Sequence, residues 1–310
     1  MKPDLSIVIV NWNVRDLLRR CLKSIYGSNG AHGALTVETI VVDNASTDGS
    51  AEMVSQAFPQ VTLIANADNR GFTGGNNQGI AISQGRYVLL LNPDTEVMGN
   101  ALARMIAYAD ANPEIGALGP MLLNPDGSVQ SSRRRFPIPA TAFIESTVLQ
   151  NWFPHHRLLR DYYVLDKPDD VIARVDWVDG ACLLARREAL EQIGLLDDGY
   201  FMYSEELDWC RRAKAAGWEV VYYPPARIVH YRGQSSEQVK AFQLVRFNRS
   251  KIRYFHKYHG AFLAALLRAF LLMNYTYQLC LETAKWIVGH KRHLRRQRMD
   301  AYRQVLKSGL

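Results

Sequence analysis

An aspartate that follows a short apolar segment is the first candidate for chemistry in this sequence. Tyr87–Leu91 is apolar throughout, and Asn92, Pro93 and Asp94 come directly after it. Because proline cannot donate a strand hydrogen bond, the strand should end before Pro93 and leave Asp94 at its carboxyl end. Ligands of open α/β sheets bind at that edge, where a carboxylate suits a divalent cation that neutralises a diphosphate. The alternative is an aspartate that only caps the next turn or helix.

Polar side chains also end two earlier apolar segments. The first of these segments ends at Asn11 and the second at Asp43. Strand and helix patterns alternate with short connections through about residue 118, which predicts an α/β fold with a mostly parallel, doubly wound sheet. The carboxyl ends of parallel strands share one edge, so we expect Asn11, Asp43 and Asp94 to lie along it. A helix cap is the alternative role for Asp43, although Asp48 is the better candidate for that.

A glycine-rich segment, residues 69–77, follows the third predicted strand. We predict a loop in which Gly71, Gly74 and Gly75 let the backbone approach a ligand closely, with Arg70 reaching a base or a phosphate. A merely flexible loop is the alternative. A nicotinamide-dependent dehydrogenase would carry its glycines directly after the first strand, where this chain has Asn-Trp-Asn. The sequence therefore argues against a dinucleotide cofactor.

The composition is that of a globular protein with an uneven charge distribution. The 310 residues are 48% hydrophobic and 22% charged, with a formal net charge of +7. Residues 241–310 hold 14 Lys+Arg and 2 Asp+Glu, so the basic excess belongs to the C-terminal tail. The four cysteines are scattered, without the spacing of a zinc site or a disulfide framework, and Leu5–Val10 is too short for a signal peptide. We therefore expect a reducing, cytoplasmic compartment.

Seven blocks of this sequence, taken in their order along the chain, carry a resemblance to a known family. The first four are SIVIVNWN, VVDNASTDGS, NRGFTGGNN and LLLNPDTE, and the last three are WVDGACLLARREAL, FMYSEELDWCRRA and IVHYRGQS. Together they resemble family 2 glycosyltransferases, which are inverting enzymes of the GT-A fold, and within that family the rhamnosyltransferase-like members. The resemblance implies a nucleotide-sugar-binding half over residues 1–125, an acceptor-side α+β extension over 126–235 and a helical tail over 236–310.

The resemblance implies a role for each candidate residue. The nucleotide-sugar site would be lined by Asn11, Asp43, Arg70, Gly71, Asn92, Asp94, Trp177 and Gly180. Within it, Asp43 would contact the nucleotide base. Asp94 and His230 would hold Mg²⁺ or Mn²⁺, and a mixed oxygen and imidazole shell favours Mn²⁺ over Ca²⁺. Asn92 stands where the family usually has a first acid, and its amide oxygen would join the metal without adding charge.

An acidic pair, Glu205-Glu206, begins a predicted helix. Acids in the first turn are favoured by the positive end of the helix by about 0.3–1 kcal/mol, which alone accounts for them. In the resembling family the pair is usually Glu-Asp and its second member is the general base. That position is Glu206 here, with Glu205 as the alternative base, while Asp208 is expected to be structural.

Two further segments allow a functional and a structural interpretation each. Trp177 would be an aromatic platform for a sugar ring, or a core residue. The basic segment Ser131–Pro137 would fold over the active site or hold an acceptor phosphate, or simply expose its arginines to water.

The basic tail predicts amphipathic helices. Ala261–Met273 is an apolar segment of 13 residues, too short for a hydrocarbon core of about 30 Å. The polar residues that follow form one stripe on an otherwise apolar helix: Asn274, Gln278, Glu282 and Lys285. This pattern is typical of a helix that lies in an interface, and the basic run over residues 290–298 suits anionic headgroups. Self-association and nucleic acid are alternatives, but no recognised nucleic-acid-binding module accompanies the charge.

The sequence thus predicts a metal-dependent inverting glycosyltransferase on the inner face of the cell membrane. The resemblance favours transfer of rhamnose from a deoxythymidine diphosphate sugar to a lipid-linked or polysaccharide acceptor. A galactofuranosyl or other hexosyl donor is an alternative. A scaffold that binds nucleotide sugar or membrane without turnover is another, because Asn92 and Glu206 depart from the family pattern.

Overall fold

A computed structural model describes residues 2–27, 34–231, 240–289 and 291–310. Two predicted features therefore lie partly outside the described residues: the end of the IVHYRGQS block and the start of the tail. The chain forms two compact units. The first contains the described residues of 2–136, 166–201 and 205–231, and the second those of 137–165, 202–204 and 240–310.

The first unit is built on a mixed sheet of ten strands. In chain order, the strands of this unit are β1 Leu5–Asn11, β2 Val37–Asp43, β3 Thr62–Ala65, β4 Tyr87–Leu91, β5 Thr95–Val97, β6 Ile115–Leu123, β7 Val129–Gln130, β8 Arg133–Arg134, β9 Ala173–Val175, β10 Trp177–Val178, β11 Cys182–Arg186 and β12 Glu219–His230. The sheet has the order β3-β2-β1-β4-β11-β6-β12-β5, with β7 beside β6 and β9 beside β12, while β8 and β10 form a separate pair.

The predicted parallel core is confirmed. Strand β1 pairs in parallel with both β2 and β4, and β2 pairs in parallel with β3. Antiparallel β11 then separates β4 from β6. All five residues of β4 are buried, as expected for a strand covered on both faces, and its pairing stops before Pro93. The carboxyl ends of β1, β2 and β4 consequently share one edge.

Helices cover both faces of this sheet. They are α1 Arg15–Tyr26, α2 Ser50–Ala57, α3 Gly71–Ile82, α4 Ala101–Ala111, α8 Arg187–Ile193 and α9 Glu205–Ala215. Alternate strand residues enter two separate hydrophobic clusters, so that Ile7 and Leu89 lie with Leu22 of α1, whereas Val8 and Leu90 lie with Trp209 of α9. This period-2 alternation places successive side chains of each strand on opposite faces of the sheet, so both faces are covered by apolar packing.

The glycine-rich segment is a helix, so the prediction of a loop over residues 69–77 was wrong. Helix α3 begins at Gly71, whose φ of +77° favours glycine. A Cβ atom at Gly75 would lie 2.8 Å from Val10, and one at Gly79 would lie 2.3 Å from Val8. These glycines therefore let α3 pack closely on β1, a tertiary requirement that overrides their weak helix propensity.

The second unit is helical. It contains α5 Pro139–Ile144, α6 Val148–Trp152, α7 Arg157–Tyr162, α10 Lys240–His259, α11 Ala261–Ile287 and α12 Arg292–Ser308. Asn274 and Glu282, two members of the predicted polar stripe, are buried. The Asn274 side chain accepts a hydrogen bond from the Val148 backbone at 3.0 Å, and Glu282 pairs with Arg295 at 2.8 Å. No described helix is both long enough and apolar enough to cross a bilayer.

Candidate active site

Asn11 and Asp43 lie side by side at the carboxyl edge of the sheet, as predicted. They are opposite each other in the β1–β2 register, and the Asn11 amide donates to Asp43 Oδ1 at 2.8 Å. Asp43 Oδ2 accepts from the Ser46 backbone at 2.9 Å. Asp48, not Asp43, accepts from the first N–H group of α2, at 3.1 Å. The buried Asn11 Oδ1 has no hydrogen-bond partner among the described residues, so a polar acceptor remains at this edge.

Arg70 lies at the start of α3 with its side chain half exposed. Its guanidinium lies 3.7 Å from the Asp68 carboxylate, which is itself largely exposed. This exposed ion pair contributes little to stability, because water screens both charges. A weak ion pair of this kind leaves the Arg70 guanidinium able to contact an anionic ligand.

Asp94 and His230 are brought together on neighbouring strands. Strand β12 pairs antiparallel with β5, which places His230 opposite Thr95, the residue after Asp94. The Tyr231 backbone donates to the Asp94 carbonyl at 2.8 Å and continues this pairing. Asp94 Oδ1 and His230 Nε2 are 3.4 Å apart, and both side chains are buried.

Gln130 on β7 fixes the orientation of the His230 ring. Its amide nitrogen donates to the His230 carbonyl at 2.6 Å and to the Leu123 carbonyl at 3.4 Å. Its amide oxygen is thereby directed to His230 Nδ1, at 3.1 Å. Since that oxygen only accepts, Nδ1 carries a proton, and Nε2 is the ring nitrogen that faces Asp94.

The donor set formed by these side chains fits a divalent cation. A carboxylate oxygen and an imidazole nitrogen that face each other at 3.4 Å are two electron-pair donors, which repel unless a cation or a proton lies between them. The buried Asn92 Oδ1 is a further oxygen without a partner among the described residues. No group of three or more His, Cys, Asp or Glu side chains suited to a metal occurs in the described part of the chain. A cation here would complete its shell with oxygens from a ligand.

Glu205 and Glu206 begin α9 beside Asp179. Burial, more than the nearby Glu206 charge, raises the pKa of Glu205 well above its usual range. Burial, followed by the Asp179 charge, raises the pKa of Glu206 to about 7, although backbone N–H groups including that of Gly180 partly oppose the shift. Burial thus favours the protonated form of Glu205, whereas a pKa of about 7 lets Glu206 exchange a proton near neutral pH.

A tight turn connects the acidic pair to the strand end that carries Asn92 and Asp94. Asp179 Oδ1 accepts from the Ala181 backbone at 2.9 Å, and the Ala181 carbonyl accepts from the Asn92 backbone at 2.9 Å. Gly180 lies against the Glu206 side chain, and a Cβ at this position would be 3.5 Å from Glu206 Cδ. The turn therefore holds Asn92 and Glu206 in a fixed relation within one unit.

Two arginines of the basic segment Ser131–Pro137, Arg133 and Arg134, have structural roles. Arg133 is buried, donates to the carbonyls of Lys167 and Pro168 at 2.6 and 2.9 Å, and stacks over Tyr222 with its Cζ 4.7 Å from the ring centroid. Arg134 is buried as well, so the alternative of water-exposed arginines was wrong for both. Trp177 is half-buried, and its indole N–H donates to the Arg135 carbonyl at 3.0 Å, which fixes the ring beside the turn.

The sequence analysis assigned no role to Gln130 or to Asp179. Gln130 is far from His230 in the sequence and carries no local signal, because its importance depends on β7 lying beside β6. Asp179 does have a signal, since the Asp-Gly dipeptide marks a tight turn next to the acceptor block.

The whole arrangement can be compared with known proteins. The sequence profile described as "Glycosyl transferase family 2" matches residues 6–194. The chain belongs to this family. The match covers five of the seven blocks and extends to the end of α8, and the enzyme class follows from it: this family 2 glycosyltransferase transfers a sugar.

Rhamnosyltransferases are among the relatives of this family 2 glycosyltransferase. It is 31% identical over 279 residues to the N-acetylglucosaminyl-diphospho-decaprenol L-rhamnosyltransferase of Mycobacterium tuberculosis, covering 86% of this chain and 89% of the relative. It is 25% identical over 236 residues to a rhamnosyltransferase of Escherichia coli K12, covering 75% of this chain and 82% of the relative. The predicted resemblance to rhamnosyltransferase-like members is confirmed.

Solved structures support the GT-A fold of the family 2 glycosyltransferase. A mannosyltransferase from Pyrobaculum calidifontis, solved with GDP-mannose and Mn²⁺, has a TM-score of 0.54 and 17% identity, with 99% of this chain and 86% of that chain covered. GalNAc-T7, solved with UDP, GalNAc and Mn²⁺, has a TM-score of 0.58 and 16% identity, with 97% and 55% covered. At this identity the likeness establishes the fold alone.

Proposed function

We propose that this enzyme is an inverting, metal-dependent glycosyltransferase that uses a nucleoside-diphosphate sugar. The observation that carries the proposal is the 3.4 Å approach of Asp94 Oδ1 and His230 Nε2 at the carboxyl edge of the sheet. A facing carboxylate oxygen and imidazole nitrogen, with the buried amide oxygen of Asn92 nearby in sequence, are suited to Mn²⁺ or Mg²⁺. The ion, when bound, neutralises the negative charge that develops on the departing diphosphate.

The nucleotide would bind along the polar end of β1 and β2. Hydrogen bonds from the Asn11 amide and the Ser46 backbone orient the Asp43 carboxylate at this edge. The remaining lone pairs of the carboxylate would accept a hydrogen bond from an N–H group of the base. Arg70 would contact the base or a phosphate from the exposed start of α3. Gly71 would serve by shaping that start, where its positive φ and its contact with Phe201 exclude a side chain.

Glu206 is the proposed general base. With a pKa of about 7, it is sufficiently deprotonated at neutral pH to accept a proton and basic enough to remove one. The acceptor hydroxyl gives its proton to the Glu206 carboxylate as its oxygen bonds to the anomeric carbon. The bond from that carbon to the diphosphate oxygen breaks in line, the nucleoside diphosphate leaves with the bonding electrons, and the configuration inverts. Gly180 and Trp177 would border the sugar, and Glu205 is the alternative base.

The donor and acceptor are proposed from the relatives. Two of them are rhamnosyltransferases, which favours deoxythymidine diphosphate rhamnose as the donor. The mycobacterial relative is named for a decaprenol-linked acceptor, which favours a lipid-linked acceptor in the assembly of a cell-surface glycan. We accordingly propose a peripheral enzyme on the cytoplasmic face of the membrane, with the helical tail contacting the membrane surface.

Donor hydrolysis tests the proposal without knowledge of the acceptor. Purified enzyme is incubated with Mn²⁺ and a panel of nucleotide sugars that includes deoxythymidine diphosphate rhamnose and UDP-galactofuranose. We expect slow release of the nucleoside diphosphate from one donor class, its loss on chelation, and its loss in Asp94→Ala. Asp300→Ala, in the exposed part of the tail, is the matched control.

The same assay separates the alternatives. Release from UDP-galactofuranose or another hexose donor would replace rhamnose while retaining the mechanism. Binding of a nucleotide sugar without turnover, for every donor and every acceptor supplied, would identify a scaffold and refute the proposal. Hydrolysis that persists at full rate in Asp94→Ala would refute the metal site.

A further inference from the structure

The exposed face of α11 is free of charge along almost its whole length. Exposed residues recur every three or four positions: Phe262, Ala265, Leu266, Ala269, Met273, Thr276, Tyr277, Cys280, Ala284 and Ile287. We name these ten residues the α11 stripe. At about 1.5 Å per residue the stripe is almost 40 Å long. Phe262 is 84% exposed and Ile287 is 65% exposed, so large apolar groups lie in contact with water at both ends.

Packing inside the second unit determines which face of α11 is buried and leaves the α11 stripe exposed. The opposite side of α11 carries Asn274 and Glu282, whose side chains are held by the Val148 backbone and by Arg295. Arg268 is exposed on α11 but lies about 120° around the helix from Phe262, and it donates to the Gly309 carbonyl at 2.7 Å. The helix thus buries these two polar side chains together with apolar ones such as Leu267 and Leu271, while its exposed face is apolar, unlike the polar exposed face of an ordinary surface helix.

Neighbouring aromatic residues extend the apolar surface. Trp152 and Phe153, at the end of α6, are 56% and 55% exposed. The Trp152 ring makes an edge contact with Tyr277 of the stripe, with centroids 5.9 Å apart. An exposed apolar surface of this extent is unusual for a soluble protein and marks a site of interaction. Trp and Tyr at its border are the residues that favour a membrane–water interface.

The charge of the second unit favours anionic lipid over a second copy of the chain as the partner of this surface. Its described residues include 17 Lys+Arg and 4 Asp+Glu, a balance of +13. All four acids already face basic partners: Glu145 with Lys251, Asp161 with Arg157, Glu282 with Arg295, and Asp300 with Arg303. A second copy docked through the same face would bring two strongly positive units together. Anionic lipid headgroups instead complement the charge by about 1 kcal/mol for each basic residue near the surface.

We propose that the α11 stripe, with Trp152 and Phe153, inserts its side chains into the headgroup region of a bilayer that contains anionic lipid. The helix lies in the membrane plane, and the basic side chains of the unit contact the headgroups around it. This inference rests on the proposed function for its biological purpose, since an enzyme with a lipid-linked acceptor works at a membrane. It names the surface by which the enzyme reaches that acceptor.

Vesicle flotation of the full-length protein tests the inference. The vesicles are phosphatidylcholine alone, or phosphatidylcholine and phosphatidylglycerol in equal parts. The double variant Phe262→Glu/Met273→Glu puts two carboxylates on the stripe at exposed positions, where folding should be unaffected. Met98→Glu, at an exposed methionine of the first unit, is the matched control. Thermal unfolding verifies that each variant is folded, and release of the nucleoside diphosphate measures the proposed function separately.

We expect the wild type and Met98→Glu to float with the anionic vesicles, at least about tenfold more strongly than with neutral ones. The double variant should lose at least about tenfold in partitioning while it hydrolyses donor at the wild-type rate. Wild-type protein that stays unbound, or a double variant that floats equally well, would overturn the inference. So would a concentration-dependent dimer that the double variant abolishes while flotation is unchanged. Expected flotation without any donor hydrolysis would refute the proposed function alone.

Discussion

Asp94 Oδ1 lies 3.4 Å from His230 Nε2, although the two residues are distant in the sequence. The antiparallel pairing of β5 with β12 creates this proximity, because it places His230 beside the residue that follows Asp94. Two buried donors at this distance suit the edge of a metal coordination shell, where ligands at about 2.1 Å from the ion lie close to each other.

If both residues hold one ion, their substitutions should not be additive. Asp94→Ala and His230→Ala should each weaken Mn²⁺ binding at least about tenfold, because each removes a ligand. The double variant should bind Mn²⁺ only slightly more weakly than the single variant that has the lower affinity. Electron paramagnetic resonance of free Mn²⁺, with a nucleoside diphosphate present, measures the affinities. Fully additive losses would mean that the two side chains do not share an ion.

Gln130 should act as a positioning residue for His230. Gln130→Leu removes both the acceptor for Nδ1–H and the donor to the His230 carbonyl, and outer-shell losses of this kind weaken metal binding about 10–100-fold. Gln130→Glu keeps an acceptor for Nδ1–H and should recover part of the affinity. The readout is the Mn²⁺ concentration for half-maximal donor hydrolysis. An unchanged Mn²⁺ requirement in folded Gln130→Leu would show that the contact is only structural.

The rate should rise with pH as Glu206 loses its proton. Its pKa of about 7 predicts a kcat/KM that is low at pH 5 and reaches half of its maximum near pH 7. Asp179→Asn should shift this limb to lower pH, because the Asp179 charge is one cause of the raised pKa. Glu206→Gln should reduce the rate by about 10²–10⁴-fold. A pH profile that Asp179→Asn leaves in place would contradict the assignment of the base.

Glu205 should make the fold less stable as the pH rises. Its pKa is raised well above the usual range, so the folded state keeps the proton that the unfolded chain releases above about pH 4.3. The stabilisation is therefore complete below that pH and is lost as the pH rises toward the folded-state pKa. Urea unfolding from pH 4.5 to 8 should show Glu205→Gln gaining on the wild type at high pH. A difference that does not change with pH would argue against a protonated Glu205.

The ion pair between Glu282 and Arg295 should be important to the second unit. Arg295 Nη1 contacts both Glu282 oxygens, at 2.8 and 3.0 Å, with both side chains buried. Glu282→Ala leaves a buried cation and should lower the free energy of unfolding by about 3–5 kcal/mol. Replacing both residues by methionine should lower it much less. Equal losses in the single and double variants, measured by urea unfolding, would show that packing rather than charge is decisive.

Local pattern was sufficient to predict the parallel core and its polar edge. The apolar run before Pro93, and the polar residues Asn11 and Asp43 at the ends of earlier runs, establish strand ends without knowledge of the fold. Parallel pairing then requires those ends to share one edge. The residue types at that edge are the ones that a metal and a nucleotide need, and the family resemblance names their roles.

Tertiary structure alone decided which distant groups meet and which faces are buried. Gln130 reaches His230 only because β7 lies beside β6, and Asp179 raises the pKa of Glu206 only because a turn packs against α9. The glycines of α3 form a helix because β1 leaves no room for side chains. In α11 the periodicity revealed two unlike faces but not their direction. A buried carboxylate needs an opposite charge, and Arg295 of α12, which pairs with the buried Glu282, lies outside the local pattern of α11.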